Sequence, residues 1–321
     1  MSKPRILLTR HWPEESENAL RAAFDVTVDP EDRPLAPEAL ITAMKAHDGI
    51  ACTVTDRLDA SVLDAAAGNC RIIANFGVGV NHIDTAAAAR HGIVVTNTPG
   101  VLTDATADIA LTLMLMTCRR AGEGERELRS GEWAGWRPTH LLGREMTGKT
   151  LGIIGMGRIG RATARRAALG FGMKVVFYNR SRLDDVGPFE AEQLATVSDV
   201  AARADIISLH CPGGEETRHI LNAEAMSAMK PDAVVINTAR GDVVDEEALA
   251  EALLSGRIGG AGLDVFQGEP VINPRLLAAP NTVLLPHLGS ATLETRNAMG
   301  MKVVRNLEAF FAGRDVPDPV T

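Results

Sequence analysis

No two of the four cysteines, Cys52, Cys70, Cys118 and Cys211, stand close enough to make a CxxC pair. Such spacing argues against a zinc centre or a disulfide framework, so no metal site is expected and the expected compartment is a reducing cytoplasm. An excess of positive charge is missing as well. The 33 lysines and arginines are outnumbered by 41 aspartates and glutamates, and the formal net charge of -8 is the wrong sign for nucleic acid or an anionic membrane as main partner. Long apolar runs are absent too: the opening MSKPRILLTRHWPEE holds one too short for a signal peptide, and the longest, Ile109 to Cys118, is too short to span a bilayer. What remains is the composition of a globular protein, 45% hydrophobic and 23% charged over 321 residues, with room for roughly two domains.

The most informative stretch is TLGIIGMGRIG, Thr150 to Gly160. A short apolar strand, Leu151 to Ile154, runs into Gly155-Met156-Gly157-Arg158-Ile159-Gly160 and then into an Ala/Arg-rich helix over Arg161 to Gly170, with a second strand at Lys174 to Tyr178. That is the strand, turn and helix of a dinucleotide-binding unit: Gly155 makes the tight turn, Gly157 admits a pyrophosphate, and Gly160 lets helix pack on strand. The helix N-terminus adds unpaired N–H groups and a partial positive charge, so two phosphates can be held without a lysine. A glycine turn alone is weak evidence, and the βαβ spacing is what strengthens it.

Before this turn the chain alternates strands (Arg5 to Thr9, Val26 to Val28, Gly49 to Thr53, Arg71 to Asn75, Gly92 to Asn97) with helices (Glu14 to Phe24, Pro37 to Ala46, Ala60 to Ala67, Asp84 to Arg90), the pattern of a parallel sheet. Asn75-Phe76-Gly77-Val78-Gly79-Val80-Asn81 follows one of those strands. Its two glycines suit a nest of backbone N–H groups for a carboxylate, or equally an ordinary turn into the next helix. Thr98-Pro99-Gly100 precedes a long helical stretch over Thr103 to Ser130, apolar on all sides from Asp108 to Cys118, as in a helix buried between domains or subunits. The irregular segment Gly131 to Gly148 carries Trp133 and Trp136, a loop suited to packing on a second subunit.

After the turn, strands are expected at Asp205 to His210, Ala233 to Thr238, Gly262 to Phe266 and Val283 to Leu285, with helices over Ser198 to Arg203, Ala223 to Met229 and Glu246 to Ser255. Open parallel sheets bind ligands beyond the carboxyl ends of their strands. At those ends stand Asn179-Arg180-Ser181, His210-Cys211-Pro212, Thr238-Ala239-Arg240-Gly241, Asp264 with Glu269, and His287. Reduction of a 2-oxo acid needs a cation to hold and polarise it and an acid to protonate the alkoxide. Arg240 suits the first task through its planar fork, His287 the second, and Glu269 the orientation of the imidazole in its charged form. Singly, each also reads as a buried histidine or a structural ion pair; together beside a dinucleotide turn they read as chemistry.

The second strand ends in Tyr178-Asn179-Arg180-Ser181-Arg182, without the acid that an NAD-selective site places there; the nearest, Asp184 and Asp185, lie beyond it. Asn179 can bond the ribose, while Arg180 and Ser181 can face a 2′-phosphate, with Arg182 as a second cation. NADP(H) is therefore the preferred cofactor, with NAD(H) also admitted. The competing reading is two solvated arginines on a loop, with NAD accepted by default.

Together the motifs NFGVGVNHID (75 to 84), TPGVLTDATAD (98 to 108), GKTLGIIGMGRIG (148 to 160), NTARGDVVDEEAL (237 to 249), GLDVFQGEP (262 to 270) and PHLGSAT (286 to 292) give a sequence that resembles the D-isomer-specific 2-hydroxyacid dehydrogenase family over essentially its whole length. The resemblance implies two Rossmann-like parallel-sheet α/β domains, one flavodoxin-like and one dinucleotide-binding, separated by a cleft. It implies a discontinuous substrate domain, 1–100 with 289–321 and a last helix over Ala291 to Phe311, and an inserted dinucleotide-binding domain, 101–288. The family's catalytic arginine, glutamate and histidine fall on Arg240, Glu269 and His287, its carboxylate loop on Val78 and Gly79, and its nicotinamide-amide aspartate on Asp264. Thr106, Met156, Arg158, Ile159, Cys211, Pro212, Thr217, Thr238, Ala239 and Gly289 join the implied cofactor site. A homodimer joined through the inserted domain is implied as well, with Val54, Leu102 and Trp136 as candidate pocket residues.

Among branches, the end at Thr321 leaves no regulatory domain, the single tyrosine Tyr178 lies at the cofactor edge, and Glu269 stands where formate dehydrogenases have glutamine. The chain looks most like the glyoxylate and hydroxypyruvate reductases, which makes small 2-oxo and 2-hydroxy acids the expected partners. Asp108 departs from the glutamate common at its position but keeps the charge. Two alternatives stand beside this reading: a phosphoglycerate dehydrogenase without its regulatory domain, and a nicotinamide-sensing, corepressor-like binding protein.

Overall fold

The computed structural model describes residues 2–66 and 68–320. By internal contacts the chain divides into two compact units, one formed by the described residues up to Leu102 with those from Ala291 onward, the other by Thr103–Ser290.

The first unit runs β1 (Arg5–Leu8), α1 (Glu14–Ala23), β2 (Asp25–Val28), α2 (Pro37–Ala46), β3 (Gly49–Cys52), α3 (Ala60–Ala65), β4 (Ile72–Asn75), α4 (Thr85–Arg90) and β5 (Val94–Thr96). Of the helix expected over 60–67, residue 67 lies outside the described residues. The five strands form one parallel sheet in the order β2-β1-β3-β4-β5, the flavodoxin-like doubly wound order. β3 and β4 are buried at every position, as befits central strands covered by helices on both faces.

The second unit begins with α5 (Thr103–Cys118) and α6 (Ala121–Ser130), then follows β6 (Thr150–Ile154), α7 (Arg158–Phe171), β7 (Lys174–Tyr178), β8 (Ala191–Gln193), α8 (Val197–Arg203), β9 (Ile206–Leu209), α9 (Ala223–Ala228), β10 (Val234–Asn237), α10 (Glu246–Leu254), β11 (Gly260–Leu263), α11 (Pro274–Ala278) and β12 (Thr282–Leu284). Its seven strands are all parallel, in the order β12-β11-β10-β9-β6-β7-β8. This is the dinucleotide-binding order extended by one strand, with its switch point between β6 and β9. The chain then returns to the first unit as α12 (Leu293–Phe311). There Gly300 permits close packing on α1, because a Cβ would stand 2.5 Å from Ser16 Oγ. Beyond α12, Val320 N–H donates to Val95 O at 2.8 Å, covering the outer edge of β5.

Three expectations change. The helix read over Thr103 to Ser130 is two helices, α5 and α6. Arg120 between them adopts a left-handed φ of +51°, and Arg144 N–H, donating to Cys118 O at 2.7 Å, caps the end of α5 from a distant segment. Met114 of α5 is buried within its own unit, where the absence of a side chain on Gly262 lets Leu113 press on β11. The helix after the glycine turn starts at Arg158 rather than Arg161, and the strand read over Gly262 to Phe266 runs Gly260–Leu263 instead.

Candidate active site

Local sequence decides which helix N-termini are closed. α4, α9 and α10 open on Asp84, Asn222 and Asp245, whose side chains accept first-turn N–H groups, and α8 opens on a capping box of Thr196 with Asp199. α7 has none of this: its N-cap is Gly157, with no side-chain cap bond and no acid in the first turn. Its N–H groups and the positive end of its dipole are left for an anion.

The glycines around that terminus do different work. Gly155 turns at φ +95°, and a Cβ there would meet Cys211 N at 2.6 Å. Gly160 has no room because a Cβ would run into Gly155 O, whereas a Cβ at Gly157 would meet nothing within 4 Å. The space over Gly157 is thus free to be filled by a ligand. At the neighbouring strand ends the Thr238 hydroxyl and His210 Nδ1 are buried without a hydrogen-bond partner, polar atoms of a kind that usually marks a missing ligand or water. An uncapped terminus, an open glycine and unspent polar atoms fit a dinucleotide.

The expected 2′-phosphate residues sit beyond β7. Asn179 Oδ1 accepts from Met156 N–H at 3.3 Å, and its amide donates to Ser181 O and Oγ at 3.0 and 3.2 Å. Arg180 pairs with Glu216, a carboxylate that sequence reading missed, and both are exposed. The strand order could have revealed it, since β7 and β9 flank β6 and the turn holding Glu216 follows β9. Arg182 is exposed beside Asp184 at 3.9 Å. Thr217 donates to Pro212 O at 2.6 Å, and burial pushes the Cys211 thiol up to about 11, so it is neutral and unreactive.

Beyond β10, β11 and β12 the acid–base groups converge. Glu269 Oε2 bonds His287 Nδ1 at 2.9 Å while Glu269 Oε1 accepts from Phe266 N–H at 2.9 Å. Burial would raise the Glu269 pKa, but the bond and charge of His287, the Phe266 N–H and the charge of Arg240 together hold it below the usual carboxylate value. Arg240, part-buried, donates to Ala239 O at 2.7 Å. Burial lowers its pKa against the opposing pull of Glu269 and Asp242, yet no carboxylate among the described residues lies within ion-pair distance. A desolvated guanidinium without a counter-ion is a place for an incoming carboxylate. Burial lowers the His210 pKa to about 3, so its ring is neutral at ordinary pH.

Asp264 is buried, and its two oxygens accept from Leu288 and Gly289 N–H at 2.6 and 2.7 Å. Thr106 donates to Gly289 O at 3.1 Å. These two expected cofactor residues therefore secure the loop after His287, and any amide bond to Asp264 uses a remaining lone pair.

In the first unit, the N–H groups from Gly77 through Val80 have no partner among the described residues, while Val78 O accepts from Asn97 Nδ2 at 2.8 Å. Val54 is 42% exposed and Leu102 is buried. In the second unit, the segment from α6 onward exposes Leu128, Trp133, Leu142 and Trp136, the last at 81%. Among the described residues no cluster could hold a metal ion and no helix is long and apolar enough to cross a membrane.

Residues 111–289 match the family described as D-isomer specific 2-hydroxyacid dehydrogenase, NAD binding domain. The chain is 44% identical to the glyoxylate reductase of Thermococcus kodakarensis over 98% of this chain and 95% of that one. It is similar in structure to the NADPH-dependent glyoxylate/hydroxypyruvate reductase of Sinorhizobium meliloti, solved with NADP and malonate, at a TM-score of 0.89 and 38% identity, covering 100% of this chain and 97% of that one. A glyoxylate reductase from Paecilomyes thermophila is similar at a TM-score of 0.87 and 32% identity, covering 100% and 99%.

Proposed function

Because the chain belongs to the D-isomer specific 2-hydroxyacid dehydrogenase family, we propose that it reduces small 2-oxo acids, glyoxylate and hydroxypyruvate first, to 2-hydroxy acids of D type, with NADPH as the preferred reductant. The observation that carries this reading is Arg240, a cation with no carboxylate at ion-pair distance among the described residues, whose charge is felt by the Glu269 carboxylate bonded to His287. The names of the relatives above support the substrate class.

The N–H groups of Val78 and Gly79 take the substrate carboxylate, and Arg240 holds and polarises the 2-oxo group. His287 gives a proton to the developing alkoxide, and Glu269 fixes the ring and favours its charged form. The bound dinucleotide supplies the hydride; Gly155 to Gly160 and the first turn of α7 hold its pyrophosphate, Asn179 its ribose, and Arg180 with Ser181 its 2′-phosphate. The exposed apolar side chains between Leu128 and Leu142 exceed what a lone subunit's surface needs, and we assign them to a homodimer. Steady NADPH oxidation with glyoxylate or hydroxypyruvate tests the reading. Cofactor binding without turnover would favour a sensor of the corepressor kind instead.

A further inference from the structure

Asn75 ends β4 with no exposed surface. Its Nδ2 donates to Gly77 O and to Gly79 O, both at 3.0 Å, and its Oδ1 faces His82 Nε2 at 3.1 Å. Carbonyls only accept, so the side of the amide that meets two of them is the NH2, and His82 Nε2 must carry the hydrogen. From other directions Thr98 N–H donates to Gly77 O at 3.0 Å and Asn97 Nδ2 to Val78 O at 2.8 Å. Every carbonyl from Gly77 to Gly79 is therefore taken by a donor. A trans peptide points its N–H opposite to its C=O, so pulling these carbonyls in turns the N–H groups out.

We propose that Asn75 is the positioning residue that makes this loop an anion site, and that its ligand is the carboxylate of the 2-oxo acid. The proposal rests on the reading of Val78 and Gly79 given above. Only a short side chain with two donors and one acceptor meets this geometry. Aspartate has the same shape, but it would aim an acceptor at two carbonyls and place a negative charge behind the nest.

The test is Asn75→Asp in the full chain, with kcat and KM for glyoxylate, NADPH affinity by fluorescence, and the same kinetics on the uncharged amide of the acid. We expect KM for the acid to rise at least about tenfold, the scale of a lost charge-assisted bond, with NADPH affinity and the kinetics on the amide unchanged. An unchanged KM, or an equal loss on acid and amide, overturns the proposal. If Asn75→Asp does not fold, Asn75→Ala, which removes the donors without adding charge, is expected to raise KM several-fold by the same readouts, and an unchanged KM overturns the proposal there too. Val78→Pro separates the two ideas by deleting one N–H of the nest itself. A raised KM there beside an unchanged KM in the Asn75 variants sinks the role of Asn75 alone, and an unchanged KM in Val78→Pro sinks the nest reading.

Discussion

The Gly77–Gly79 loop and the His287–Gly289 loop each follow a parallel strand, and each is held by one buried side chain from a strand end. Their polarities are opposite. Asn75 donates to carbonyls and leaves N–H groups unspent; Asp264 accepts N–H groups from Leu288 and Gly289, and its own carbonyl takes that of His287 at 3.0 Å. The first loop has backbone donors to offer an anion. The second has none left and offers a side chain: His287, fixed at a left-handed φ of +56° that a residue with a Cβ adopts only where its surroundings hold it there. One loop presents backbone donors, the other a side chain.

Replacing that side chain should break the comparison most severely. His287→Asn leaves the Asp264 bonds to the loop in place but removes the proposed proton donor, and turnover should fall at least about a hundredfold, the usual scale for a positioned acid. Near-normal turnover would remove His287 from the chemistry. Arg240→Lys is the next largest: the charge stays, the planar fork goes, and kcat/KM should drop by more than about tenfold. A lysine variant within a few-fold of the parent would make Arg240 structural only.

Cofactor choice sharpens the contrast between backbone and side-chain recognition. The uncapped N-terminus of α7 offers backbone donors to any dinucleotide, whereas the proposed readers of a 2′-phosphate, Arg180 and Ser181, are side chains. The expected preference is NADPH over NADH by about tenfold or more, the lower end of one bond to a charged group. Arg180→Ala should lose most of it and Ser181→Ala less. The pair with Glu216 is exposed and of small worth, so a phosphate can displace it. Equal efficiency with both cofactors in the parent would end this assignment.

Much of this was legible in the residues because it depends on local pattern. β6 and β7 are apolar runs beside a glycine turn, and Arg240 and His287 follow β10 and β12, whose apolar runs show in the sequence, whereas the strand before Glu269 lies two to three residues earlier than expected. What escaped depends on distant contacts. The break at Arg120 needs Arg144 reaching Cys118, in a stretch with helical residues on both sides. β8 is a polar edge strand, Ala191–Gln193, with no apolar signal to find. Glu216 meets Arg180 only through strand order, and the donors of Asn75 and acceptors of Asp264 show their opposite uses only once the loops are folded.

The smallest expected effect comes from the carboxylate behind the acid. Glu269 is ionised at neutral pH, since the bond from His287 and neighbouring positive charge outweigh the cost of burial. Glu269→Gln offers one oxygen where Phe266 N–H and the ring of His287 each use one, so one of the two contacts is lost along with the negative charge. Turnover on glyoxylate should fall, by less than in His287→Asn, because the ring itself remains. Stability depends on the same charge. A carboxylate whose folded pKa is lowered contributes stability that is present above its unfolded value, about 4.3, and is lost as pH falls through the folded value. The parent should therefore melt above the Gln variant at pH 6, and the gap should close as the pH is taken below about 4. Unchanged turnover in the Gln variant would remove Glu269 from the chemistry; a melting gap that persists in acid would show that its contribution is packing rather than charge.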